Sequence, residues 1–107
     1  GVRLGTEVLK QTGWSQNVID AVCEIIDGHD TRPDPHHLND CIVRDSDKLW
    51  RYDVPGIAIA SDWFGHTPHQ YAAHLDKSLD KLETDVGRQM AVEVLAASRK
   101  SLKLHVL

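Results

Sequence analysis

Between Ser15 and Gly28 the apolar residues Val18, Ile19, Val22, Ile25 and Ile26 recur at intervals of three and four, so one face of a helix is apolar and the other polar. Ser15 provides an N-cap oxygen, and Gly28 the glycine stop that commonly ends helices. Upstream, Val2, Leu4, Val8 and Leu9 form a partial helical pattern over Val2 to Thr12, closed by Gly13. Downstream, HDTRPDPHH combines two prolines with aspartates and histidines, which is loop chemistry. A third helix is predicted from Leu38 to about Tyr52, where Asp53-Val54-Pro55-Gly56 breaks it. A short apolar piece, IAIASDWF, and Gly65 follow.

Pro68 suits a first helical turn, after which Tyr71, Leu75, Leu79 and Leu82 form a stripe. Thr84 can cap a last helix that turns Val86, Met90, Val94 and Leu95 inward and leaves SRKSLK in water. No segment alternates with the period of a strand. The pattern therefore predicts an all-α protein, a helical bundle of about five to six helices in one domain over 1–107. A chain of this length can bury about two-thirds of the surface its unfolded form exposes.

Composition narrows the function. Twelve basic against sixteen acidic residues give a net charge of -4 with no basic run, which argues against a nucleic-acid backbone as partner. No apolar run approaches the roughly 20 residues that cross a bilayer. Cys23 and Cys41 lie in apolar stretches without metal-ligand spacing and read as reduced, buried thiols of a cytoplasmic protein.

The third predicted helix carries the candidate chemistry. On a helical wheel Leu38, Cys41, Ile42 and Leu49 make one stripe with Asp45 inside it, and Val43, Trp50 and Val54 make a second that contains Asp47. A carboxylate on a buried face is costly unless a cation, a metal or several hydrogen bonds compensate it. Either the helix is half-buried and the aspartates are solvated beside Arg44, Lys48 or Arg51, or one of them is a metal ligand or catalytic group at a helix seam. Other groups carry less. His66 and His69 straddle a loop-like GHTPH, His36 and His37 sit in the proline-rich loop, and Ser46 has no base or glycine elbow around it. Trp14, Trp50 and Trp63 read as core or interface anchors.

IIDGHD at the end of one helix, a proline-rich loop and then CIVRDSDKLW resemble the second half of HD-superfamily metal-dependent phosphohydrolases, whose pattern there is an apolar helix ending in I..H, a loop and Iv.DADrLd. GVRLGTEVLKQTGW and HLDKSLDKL are similar to the segments that flank that pattern, so the resemblance covers most of the chain. It implies an HD-like fold in which Asp47 is the last ligand of a divalent metal (manganese, magnesium, cobalt, zinc or iron), Asp45 is its neighbour, either supporting that ligand or purely structural, and His29 lines the pocket near the substrate phosphate. His74 matches a further histidine of the family, with a packing role. His29-Asp30 is not the family's name-giving doublet, which lies many tens of residues before the last aspartate. The upstream histidine and that doublet are not in this sequence, so the resemblance implies the carboxyl-terminal part of the domain, lacking its amino-terminal helices. Such a part alone is expected to hold no metal tightly and to be inactive. The expected substrate of the intact parent is a nucleotide or another small phosphoester. The expected partner is a second copy in a homodimer, or the missing amino-terminal part. The alternative is a non-catalytic helical module that binds or regulates a partner.

Overall fold

A computed structural model describes residues 1–104, and these residues are all-α. Six α-helices follow in order: α1 (Val2–Gln11), α2 (Gln16–Gly28), α3 (Leu38–Leu49), α4 (Val54–Phe64), α5 (Pro68–Ser78) and α6 (Asp85–Leu102). Short 3-10 turns, Trp50–Tyr52 and Leu79–Lys81, extend α3 and α5. No helix among the described residues is long and apolar enough to cross a membrane. The chain divides into two compact units, Gly1–Val43 and the residues from Arg44 onward.

In the first unit α1 packs along α2. Gly5 permits the approach, since a Cβ there would stand 3.1 Å from Ile26 Cδ1. Ser15 caps α2 as its position predicts, accepting from Val18 N at 3.4 Å. Gly28 does not stop the helix in the left-handed conformation, because His29 continues the right-handed backbone. Its missing side chain instead makes room for the Arg32 guanidinium, which a Cβ would strike. Arg32 reaches Asp40 at 3.2 Å, and His36 N donates to the same carboxylate at 3.0 Å, so the proline-rich loop is tied to the first turn of α3. Cys23 and Cys41 are free thiols, as expected, but both are only half-buried, and Cys23 Sγ lies 3.3 Å from Thr6 Oγ1.

The second unit holds the larger core, built from Tyr52, Ile57, Tyr71, Leu75, Leu82 and Leu95 with alanines between them. The DVPG segment both ends one helix and starts another. Asp53 caps α4 by accepting from Gly56 N at 2.7 Å, with Pro55 in the first turn where its missing N–H costs nothing. The apolar piece after it is therefore a full helix, which Gly65 ends at φ 68°. Thr67 and Gln70 form a reciprocal capping box at the start of α5. The predicted stripe is buried at Tyr71, Leu75 and Leu82, although the α-helix itself stops at Ser78.

α6 turns only part of its predicted apolar face inward: Leu95 is buried and Val94 packs against the core, as expected. Thr84 caps it, but Val86 (68% exposed) and Met90 (48% exposed) face outward, and Gly87, Ala91, Leu95 and Ser98 are buried. Small residues let the α6 backbone come close to the core, a gain that a hydrophobicity pattern does not register. Ser98, expected in water, donates to Tyr52 O at 2.7 Å. None of the three tryptophans is a core residue.

Gly56 lies under the 3-10 turn, where a Cβ would overlap the Trp50 carbonyl oxygen and come within 2.9 Å of Arg51 Cα. Backbone cannot step aside as a side-chain tip can. Gly56→Ala should therefore cost about 3 kcal/mol or more, the upper range of overpacking. Gly65→Ala should cost only about 1 kcal/mol for its left-handed backbone. Urea midpoints of the two variants check the order.

Candidate functional site

α3 inverts the expected pattern, because its most buried residues are charged. Asp40, Arg44 and Asp45 are buried, whereas Leu38, Ile42 and Val43 are exposed. Arg44 pairs with Glu83 at 3.5 Å.

Asp45, only 3% exposed, has its carboxylate oxygens fully engaged. Oδ1 accepts from Glu83 N at 2.7 Å, and Oδ2 accepts from Thr84 N at 2.9 Å and from Thr84 Oγ1 at 2.7 Å. Thr84 Oγ1 in turn accepts from Gly87 N at 2.9 Å, so one hydroxyl caps α6 and donates to the aspartate. Gly87 completes the fit, since a Cβ there would collide with Asp45 Oδ2 and lie 2.8 Å from Thr84 Oγ1. The carboxylate thus stands against the positive end of an 18-residue helix, with hydrogen bonds offsetting its burial. This is a structural clamp.

Asp47, two residues on, has the opposite surroundings. It is exposed and makes no hydrogen bond or ion pair among the described residues, so the expectation that its face is buried is not met. His29 belongs to the first unit, at the end of α2, half-buried. Its Nδ1 lies 3.0 Å from Ile26 O; since a carbonyl only accepts, Nδ1 is the donor of that bond. Among the described residues no three His, Cys, Asp or Glu side chains converge in a way that could hold a metal ion.

Pattern reading did not anticipate a basic cleft inside the second unit. Lys48 from the end of α3, Arg51 from the 3-10 turn after it, Tyr71, His74 and Ser78 from α5, and Lys81 from the following turn line about 120 Å³. Lys48 Nζ donates to Lys81 O at 3.3 Å, and the Arg51 guanidinium lies 5.7 Å from the centre of the Trp50 ring. Burial raises the Tyr71 hydroxyl above the ordinary tyrosine pKa, against the opposing pull of Arg51; burial raises Tyr52 in the same way. Both hydroxyls stay protonated donors through neutral pH. A second trough of about 210 Å³ shares Arg51, Tyr71 and His74 and adds Phe64 and His66. The only sequence signal was Lys48 and Arg51 three residues apart on one helix.

No family model, curated protein or solved structure matches the chain.

Because Asp45 is bound and Asp47 is not, their replacement should separate cleanly. Asp45→Ala, which strands two backbone N–H groups and a hydroxyl, should lose about 3 kcal/mol. Asp47→Ala should stay within about 0.5 kcal/mol of the parent. Thermal or urea unfolding followed by circular dichroism measures both.

Proposed function

We propose that this chain is the carboxyl-terminal part of an HD-type metal-dependent phosphohydrolase acting on a nucleotide or another small phosphoester. The observation that supports the reading is the contrast within Asp45-Ser46-Asp47: the first carboxylate is consumed in holding α6, and the third letter presents an exposed carboxylate with no partner among the described residues. That division agrees with the resemblance, which makes Asp47 a metal ligand and Asp45 its supporting or structural neighbour.

In this reading Asp47 would hold one position of a divalent ion, and the remaining ligands would come from residues outside 1–107. One carboxylate does not hold such an ion tightly, because tight sites need several converging donors. When bound in a complete site, a divalent metal polarises a phosphoryl oxygen and lowers the pKa of a coordinated water. Asp47 contributes the negative charge from the second unit's part of α3.

A second reading, a non-catalytic helical module that docks on a partner or on its own copy, is favoured by a separate observation. Leu38, Ile42 and Val43 on α3 and Leu4 and Val8 on α1 expose apolar surface. At ~25 cal/mol per Å², covering ~400 Å² of such surface would contribute about 10 kcal/mol.

One experiment separates the two. The chain is produced with the residues that precede it in its parent, loaded with manganese or cobalt, and assayed for phosphate release from nucleotides. Asp47→Ala should abolish turnover and metal retention after dialysis, and residues 1–107 alone should retain far less than one metal per chain. Turnover unchanged by Asp47→Ala, or tight stoichiometric metal in residues 1–107, would contradict the phosphohydrolase assignment and leave the docking module.

A further inference from the structure

We propose that the basic cleft of the second unit is a binding site for the phosphoryl group of a small molecule. The inference goes beyond the role proposed for Asp47 and does not need it: the cleft is complete within one unit and calls for no metal.

Charge carries the argument first. Lys48, Arg51 and Lys81 converge on one small cavity, no acidic residue is among those lining it, and none of the three makes an ion pair with a described carboxylate. This happens in a protein with more acidic than basic residues. Asp76, the one carboxylate of α5, is committed to Arg99 through bonds of 2.9 and 2.5 Å. Three neighbouring cations repel one another, and an anion seated among them relieves that repulsion.

Geometry selects the anion. About 120 Å³ is well below the roughly 300–1,000 Å³ of pockets that swallow whole drug-sized ligands, so the cleft takes one compact group. Arg51 offers a planar fork of N–H donors and is held over the Trp50 ring, while each lysine has three donors, of which Lys48 spends one on the Lys81 carbonyl. Ser78 Oγ lies 3.5 Å from His74 Nε2 and donates to His74 O at 3.0 Å, leaving the hydroxyl oxygen and the ring at the rim. A singly charged carboxylate would leave the cations under-neutralised. A phosphoryl group carries up to two charges and three terminal oxygens, which matches the donors on three sides.

The adjoining trough shows where the rest of such a molecule goes. Phe64 is exposed and stacks on Tyr71 with ring centres 6.1 Å apart, and His66 meets Tyr71 edge-on at 6.2 Å. The trough shares Arg51, Tyr71 and His74 with the cleft, so a group attached to the phosphoryl would run out over aromatic surface.

The test is a titration of the metal-free chain in EDTA, at constant ionic strength, with inorganic phosphate in one arm and adenosine 5′-monophosphate in the other, read by amide chemical shifts. Saturable shifts confined to residues 48–52 and 71–81 are expected. Arg51→Gln should weaken binding at least ~10-fold, as loss of a charge-assisted bidentate contact does. Arg51→Lys should fall between it and the parent, and Lys10→Gln, which removes one charge elsewhere, should leave binding unchanged. Should Arg51→Gln unfold, the exposed Lys81→Gln replaces it, with a weakening of several-fold. Tighter binding of the nucleotide assigns a nucleoside phosphate as ligand, and equal affinity assigns the free ion. No saturable shift in either arm, shifts centred elsewhere, or equal weakening by Lys10→Gln overturns the proposal.

Discussion

The second unit is organised around one buried carboxylate. Asp45 is taken from water at the end of α3, and the cost is offset by three donors at the start of α6: Glu83 N, Thr84 N and Thr84 Oγ1. Thr84 N is one of the N–H groups a helix amino-terminus otherwise leaves unsatisfied, and Glu83 N and Thr84 Oγ1 flank it, so the aspartate answers a need of α6 as α6 answers the need of the aspartate. Thr84 passes the restraint on to Gly87, and Gly87 admits the carboxylate because it has no side chain to place there. From that fixed start α6 delivers Ala91, Leu95 and Ser98 to the core, where Ser98 fastens the Tyr52 carbonyl below α3. Removing the one charge would loosen both ends of this arrangement.

Helix boundaries were largely legible in the residues, because caps act locally. Ser15, Pro68 and Thr84 begin helices where their chemistry says they should. Helix faces were less legible. In α6 the larger apolar residues Val86 and Met90 point outward, and the packed face is made of glycine, alanine, leucine and serine. Close approach between backbones rewards small side chains, which hydrophobic periodicity undercounts. α4 was read as a short apolar piece because almost all of its residues are apolar or small, so no polar stripe marked it as a helix.

The candidate site shows the same limit. The triplet Asp45-Ser46-Asp47 was visible at once, and a wheel placed both carboxylates on apolar faces. Which one is buried depends on Thr84, 39 residues away, a partner no local pattern reveals. The basic cleft was hidden for the same reason: Lys48 and Arg51 meet His74, Ser78 and Lys81 only once α3 and α5 are folded together. Spacing found the acids, and tertiary packing decides which of them is bound. The result is a chain in which one aspartate holds the second unit together, its neighbour is exposed with no partner among the described residues, and Lys48 and Arg51 meet Lys81 from the turn after α5.

The direct measurement of that division is a double-mutant cycle between α3 and Thr84, using Asp45→Asn, Asp47→Asn and Thr84→Val in all combinations, with unfolding free energies from urea titrations. A coupling of about 1.5 kcal/mol or more is expected between Asp45 and Thr84, within the range for groups sharing one hydrogen-bond network, and additivity within about 0.5 kcal/mol for Asp47 and Thr84. Additivity at Asp45, or coupling transferred to Asp47, would contradict it.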